Sequence, residues 1–208
     1  MKENILDQVK DLKSSEIKKT VDRRLNEFKQ LGKKPSKEIF KELCFCLLTA
    51  NYTAEGGIRI QKEIDDGLIY LSELQLKQKL KQLKHRFPNK RGEYIFLAQS
   101  QQKKLIEMLK SKTPYMAREW LVKNVKGLGY KESSHFLRNI GYTNLAIIDF
   151  HIVDILVKNK LVEKPKTITP KIYLEIEQTL QELGKELNMN MAELDLYLWY
   201  LETGKILK

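Results

Sequence analysis

Only two cysteines occur among 208 residues, Cys44 and Cys46. Two thiols cannot ligate an iron–sulfur cluster, which needs four ligands. On a helix, positions two apart point about 200° away from each other, too divergent for one metal ion or for a mutual disulfide. Both cysteines therefore read as packing residues. Proline (five) and glycine (ten) are sparse, and neither a low-complexity linker nor a repeat of fixed period is present. Any division into lobes must then arise from packing rather than from a tether. No stretch approaches the roughly 20 apolar residues of a membrane span, and the polar opening MKENILDQVK has no apolar signal core. A cytoplasmic protein that engages no membrane is expected. Alternating apolar runs are scarce too, the best being the short Leu145-Ala146-Ile147-Ile148, which argues against a sheet-based fold.

What the chain has in excess is positive charge. Thirty-eight Lys and Arg against 27 Asp and Glu give a formal net charge of +11, which favours a polyanionic partner such as nucleic acid or an acidic membrane surface. Lys- and Glu-rich ion-pair networks of heat-adapted proteins are the competing explanation of the same composition. Apolar residues make up 42% of the chain, enough for one compact core or for two small lobes.

Apolar positions recur at helical spacing almost throughout, so the expected fold is all-α. The pattern predicts helices over 15–31, 37–50, 54–66, 72–83, 89–100, 102–111, 114–125, 131–140, 149–159, 170–187 and 191–203. Start signals support these spans: Ser36 after Pro35, capping boxes in Ser72 with Gln75 and in Asn190 with Glu193, and Pro114 and Pro170 at first-turn positions after Thr113 and Thr169. Two helical lobes flanking a cleft are expected. Residues 36–110 would form one lobe, and 1–35 with 111–208 the other, two helices joined by a glycine turn occupying about 114–140.

The most informative segment runs Val125-Lys126-Gly127-Leu128-Gly129-Tyr130-Lys131. Two glycines one residue apart, between amphipathic helices, permit a tight turn whose backbone can approach another surface closely. Unpaired amides at the start of the second helix suit a phosphate. An ordinary helix-to-helix turn with a glycine cap has the same signature. Lys131, however, falls in the first turn of the following helix, where the positive end of the macrodipole disfavours an ammonium and favours the neutral amine that can attack carbon. Eighteen residues later Asp149 ends the apolar run and precedes Phe150 and His151. One helix and one loop suffice to return the chain to the hairpin. A carboxylate there can cap a helix and also stabilise positive charge developing on a sugar.

GLGYK, a helix of about ten residues, and AIIDFH resemble the lysine-bearing branch of the helix-hairpin-helix glycosylase superfamily that includes endonuclease III. The strings CFCLLTANYTAEGGIRIQKEI (44–64), HRFPNKRGEYI (85–95), REWLVKNVKGLGYKESSHFLRNIGY (118–142) and LDLYLWYLETGKILK (194–208) resemble more closely the archaeal-type 8-oxoguanine DNA glycosylases with AP lyase activity. That resemblance implies base-excision repair of duplex DNA containing oxidised guanine. A damaged nucleotide is flipped into a cleft, Lys131 attacks the sugar C1′, expels the base and forms a Schiff base, and β-elimination cuts the strand 3′ to the lesion. Asp149 matches the family's acidic residue, which stabilises the oxocarbenium-like transition state. A monomer without an obligatory cofactor, associated with the nucleoid in a prokaryote, is implied as well.

The same resemblance assigns lesser roles. Gly127 and Gly129 would hold phosphate by their amides, and the carbonyls of Lys123, Val125 and Leu128 would hold a structural Na⁺ or K⁺. Asn51 falls where the family inserts a side chain into the gap left by the flipped nucleotide, and Phe87 near a second insertion that unstacks a neighbouring step. Asn51 also reads as a helix C-cap, and Phe87 before Pro88 as a loop anchor. His85, Arg86, Lys90 and Arg91 are expected at phosphates. Trp199 offers a stacking face for a purine, and the terminal Lys208 with its α-carboxylate is implicated in base recognition. 8-Oxoguanine carries a hydrogen at N7 where guanine has a lone pair, so an acceptor aimed there separates the two. Two alternatives stay open on the residues alone: a glycosylase/lyase for oxidised pyrimidines, and a non-catalytic helix-hairpin-helix module that binds DNA.

Overall fold

The computed structural model describes residues 2–207. Among these the regular elements are thirteen helices: α1 (Lys2–Lys13), α2 (Ile17–Leu31), α3 (Ser36–Thr49), α4 (Ala54–Ile64), α5 (Gly67–Tyr70), α6 (Glu73–Gln82), α7 (Pro88–Gln99), α8 (Gln102–Ser111), α9 (Pro114–Asn124), α10 (Tyr130–Asn139), α11 (Phe150–Lys158), α12 (Pro170–Leu187) and α13 (Met191–Thr203). The starts follow the local chemistry. Thr53, Ser72, Thr113, Asp149, Thr169 and Asn190 each cap a helix by accepting a backbone N–H with the side chain, and Ser72 with Gln75 closes a reciprocal capping box. At α3 the cap position is taken by Pro35, and Ser36 is the first helical residue.

The chain divides into two compact units. One comprises residues Gln30–Ile140 and is built around α3, which is buried from Ile39 to Thr49. A helix enclosed on all sides must satisfy its polar side chains internally. Lys41 Nζ meets Glu38, Asp65 and Asp66 at 2.9, 2.7 and 3.0 Å, and Glu42 accepts a hydrogen bond from Asn139 Nδ2 of α10 at 2.6 Å. Cys44 and Cys46 are fully buried in the same helix, as packing residues are, and burial pushes the Cys44 thiol well above its ordinary range.

The other unit gathers the segments up to Lys29 and from Gly141 onward. Its core is the α12 stripe Tyr173, Ile176, Leu180, Leu183 and Leu187, packed against α13 and α1. The helix α1 was not expected from the sequence. Its apolar stripe is narrow, carried by the fully buried Ile5 and Val9 within an otherwise polar stretch, so its stability comes from packing on α12 and α13 rather than from its own amphipathicity.

The unit boundary also differs from the expected one. The hairpin helices α9 and α10 belong with the central segments, not with the chain ends, because α10 is buried from Ser133 to Asn139 against α3. The Asn139–Glu42 bond and an edge-on contact between His135 and Phe45, with ring centroids 5.8 Å apart, lie in that interface. The boundary accordingly falls after Ile140 rather than at about residue 110.

Candidate active site and nucleic-acid interface

The hairpin is the turn between α9 and α10. Its two arms are clamped by Arg118, which is 1% exposed: its guanidinium lies 5.1 Å from the Tyr130 ring centroid and donates to Ser134 Oγ at 3.3 Å. Tyr130 reaches back to Glu119 Oε2 at 2.9 Å. The two glycines have different reasons to be glycine. Gly127 adopts φ +95°, and a Cβ there would lie 2.2 Å from Tyr94 Cδ2, so the fold itself demands it. Gly129 has an ordinary φ of −94°, and an added Cβ would meet nothing closer than Glu132 Oε2 at 3.4 Å. It is exposed at the N-cap of α10, so nothing within the chain requires its side chain to be missing.

Lys131 is the second residue of α10, half-buried, with its Nζ 3.9 Å from Glu132 Oε1. Within the turn, the Leu128 N–H donates to the Val125 carbonyl at 3.2 Å. Lys123 and Leu128 stand on either side of it, at the negative end of the α9 dipole.

Asp149 is the N-cap of α11, its Oδ1 accepting the Ile152 N–H at 3.1 Å. It is placed there by the buried segment Leu145–Ile148. That apolar run is not a strand; three of its backbone groups are bonded to side chains of α12. The Ala146 N–H donates to Glu177 Oε1 at 2.9 Å, the Ile148 N–H donates to Tyr173 Oη at 3.3 Å, and the Tyr173 hydroxyl donates to the Ala146 carbonyl at 2.7 Å. On the same unit, His151 meets Trp199 of α13 edge-on, with ring centroids 5.2 Å apart, and its Nδ1 lies 3.8 Å from Glu202 Oε1. Gly204 closes α13 in the left-handed conformation, φ +68°, as its position in the sequence suggests. Lys208 lies outside the described residues.

The expected DNA-inserting residues are on the other unit, with Lys131. Asn51 is exposed and left-handed, φ +56°, just past the C-cap of α3, the conformation asparagine tolerates better than most residues. Phe87 caps α7, half-exposed, with the exposed Arg86 guanidinium 5.0 Å from its ring centroid. Two of the basic residues expected at phosphates are corrected. Arg91 is only 7% exposed and donates to the carbonyl of Ala50. His85 is 4% exposed, and both of its ring nitrogens are engaged within the protein. Side chains so enclosed hold loops together; a phosphate contact needs an accessible donor.

Comparison with known proteins bears on these positions. The family model described as 8-oxoguanine DNA glycosylase matches residues 21–189. The chain belongs to that family. It is 53% identical over 207 residues to the 8-oxoguanine DNA glycosylase/AP lyase of Methanocaldococcus jannaschii, covering 98% of this chain and 99% of the relative. The Korarchaeum cryptofilum protein of the same name is 49% identical over 212 residues, covering 99% of both. The fold agrees as well. A crystal structure of the Methanocaldococcus jannaschii 8-oxoguanine glycosylase/lyase with 15mer DNA containing 8-oxoguanine matches at a TM-score of 0.95, with 52% identity, over 98% of this chain and 99% of that one. The Thermotoga maritima 8-oxoguanine DNA glycosylase matches at 0.94, with 41% identity, over the whole of both chains.

In this member of the 8-oxoguanine DNA glycosylase family, sequence reasoning overlooked the residues that support the site. Glu177 is 3% exposed on the apolar face of α12, one residue from Ile176 and three from Leu180. An acid at a core position of an amphipathic helix is the signal that would have found it. For Tyr173 no such signal exists, since a buried tyrosine on that stripe is ordinary packing.

Proposed function

We propose that this protein excises 8-oxoguanine from duplex DNA and then cuts the strand at the resulting abasic site. The observation that carries this reading is the likeness, over 98% of the chain at 52% identity, to a relative crystallised with DNA containing 8-oxoguanine. The excess of positive charge fits a phosphate-rich partner.

In the proposed reaction the Lys131 amine attacks C1′ of the lesion nucleotide with its lone pair. The N-glycosidic bond breaks and its electron pair leaves with the base, which takes up a proton. Nζ gives up one proton and O4′ takes one up as the C1′–O4′ bond breaks, which opens the sugar to an iminium between Nζ and C1′; loss of a C2′ proton then breaks the C3′–O3′ bond and expels the 3′ phosphate by β-elimination. Asp149 stabilises the positive charge that develops at C1′ and assists proton transfer. Its cap to Ile152 uses Oδ1, so the helix end fixes the carboxylate while Oδ2 serves the reaction. Exposed amides around Gly129 take a phosphate, Asn51 fills the gap left by the extruded nucleotide, and Phe87 parts the adjoining step, with Arg86 at the backbone. Trp199 stacks on the flipped purine, and Lys208 contributes to separating 8-oxoguanine from guanine at N7.

This chemistry runs on side chains and draws on no cofactor. A monovalent cation suits the hairpin, because the Val125 carbonyl spends one lone pair on Leu128 N–H and the α9 dipole favours positive charge there. Lys123, Val125 and Leu128 would hold it, and it would brace the turn against the phosphate. No helix among the described residues is long and apolar enough to cross a membrane. Work on DNA fits a protein of the cytoplasm, at the nucleoid of a prokaryote.

A lesion panel tests this reading: duplexes carrying 8-oxoguanine, an oxidised pyrimidine or undamaged guanine. Release of 8-oxoguanine in preference to both others is expected, with discrimination against guanine weakened when Lys208 is deleted. Preferential release of the pyrimidine would overturn the substrate assignment.

A further inference from the structure

The two loops assigned to DNA insertion are tied together by one imidazole. His85 Nε2 lies 2.9 Å from the carbonyl oxygen of Leu48, at the end of α3, and the Phe87 N–H donates to Nδ1 at 2.9 Å. An amide N–H can only be received by an unprotonated nitrogen, so Nδ1 is the acceptor and the ring proton sits on Nε2, donated to Leu48. The same ring lies against Tyr52, centroids 4.4 Å apart, immediately after Asn51.

Further bonds run between the same two segments. Arg91 of α7 holds the Ala50 carbonyl, one residue before Asn51, and Arg59 of α4 holds the Leu83 carbonyl at 2.8 Å. Arg91 and Arg59 tie the flanks. His85 receives the N–H of Phe87 itself, one of the amides at the head of α7 that have no acceptor within the helix.

Insertion into a stacked duplex is costly, and two side chains share that cost efficiently only when their separation is fixed before contact. We propose that His85 is a positioning residue for strand insertion, its neutral imidazole locking the Asn51 loop and the Phe87 turn into one rigid element. The inference rests on the function proposed above, specifically on Asn51 and Phe87 as the inserted pair. Burial of the ring, which disfavours the imidazolium, supports it.

The two arms of the ring can be cut separately in the full chain. His85→Asn retains an acceptor where Nδ1 stands but loses the donor to Leu48; His85→Gln retains a donor where Nε2 stands but loses the acceptor for Phe87. Two single-turnover rates would be measured for each variant, 8-oxoguanine excision from a paired duplex and cleavage at a preformed abasic site, which has no paired base to extrude. Fluorescence of 2-aminopurine beside the lesion reports unstacking.

Excision is expected to fall by about tenfold to a hundredfold in both variants, with a smaller 2-aminopurine signal, while abasic-site cleavage falls far less and thermal melting shows a folded chain. Equal loss on both substrates, loss of the fold, or undiminished excision would overturn the inference. Inactivity of the unsubstituted chain on both substrates would remove the reading on which it rests, and the inference with it.

Discussion

Gly127 lies with its α-carbon against the ring of Tyr94, so close that a Cβ would come 2.2 Å from Cδ2. The ring in turn carries the Lys126 ammonium 5.6 Å from its centroid and the Arg91 guanidinium at 5.7 Å. The hairpin is thus seated on α7, the helix that Phe87 caps. Gly127→Ala combines a left-handed φ with a collision against a packed ring, and a loss of roughly 1–3 kcal/mol or more is expected. Gly129→Ala meets neither obstacle. Thermal melting should separate the two, Gly129→Ala leaving the transition nearly unchanged while duplex affinity falls. A large destabilisation by Gly129→Ala would show that the fold, not an approaching phosphate, requires that glycine.

Asp149 combines a structural and a chemical task that substitution can part. Asparagine caps a helix as well as aspartate, so Asp149→Asn should melt near the unsubstituted chain, whereas Asp149→Ala should lose about 1 kcal/mol. Excision should nevertheless drop in both by roughly a hundredfold or more, because neither bears a carboxylate. Substantial activity in Asp149→Asn would reduce the residue to a cap.

The His85 ring gives a pH dependence of defined sign. Burial holds its pKa below the ordinary 6.5; the nearby Arg91 guanidinium acts in the same direction, and the hydrogen bond to Leu48 opposes both. Tyr52 adds a neutral face. With the folded pKa depressed, the unfolded chain takes up the proton first. The stabilising contribution of the neutral ring is complete above about pH 6.5 and is lost as the pH falls below that value through the folded pKa. Melting temperatures measured across this range should decline on acidification in the parent chain and decline less in His85→Gln. Parallel declines would assign the acid sensitivity to other groups.

How much of this was legible in the sequence depends on what each residue has to do. Caps such as Thr53, Thr113 and Asn190 act on amides three residues away, so local pattern suffices to place the helices they begin. Gly127, Gly129, Lys131 and Asp149 stand out because their types conflict mildly with their surroundings. The residues that were misread or missed act over long separations. Arg91 looks like any surface arginine until α7 is laid beside α3, 41 residues away in sequence, and its guanidinium reaches Ala50. Leu145–Ile148 reads only as a short apolar run, because the partners of its backbone groups, Glu177 and Tyr173, lie some 31 and 25 residues on. The narrow Ile5–Val9 stripe of α1 was likewise hidden, since packing rather than pattern sustains it.

The central claim is that Lys131 is the nucleophile, and borohydride reduction during turnover tests it most directly. An 8-oxoguanine duplex incubated with the protein and borohydride should yield a covalent protein–DNA complex, and Lys131→Gln, folded and still able to bind the duplex, should yield none. An undiminished complex with Lys131→Gln would contradict the account.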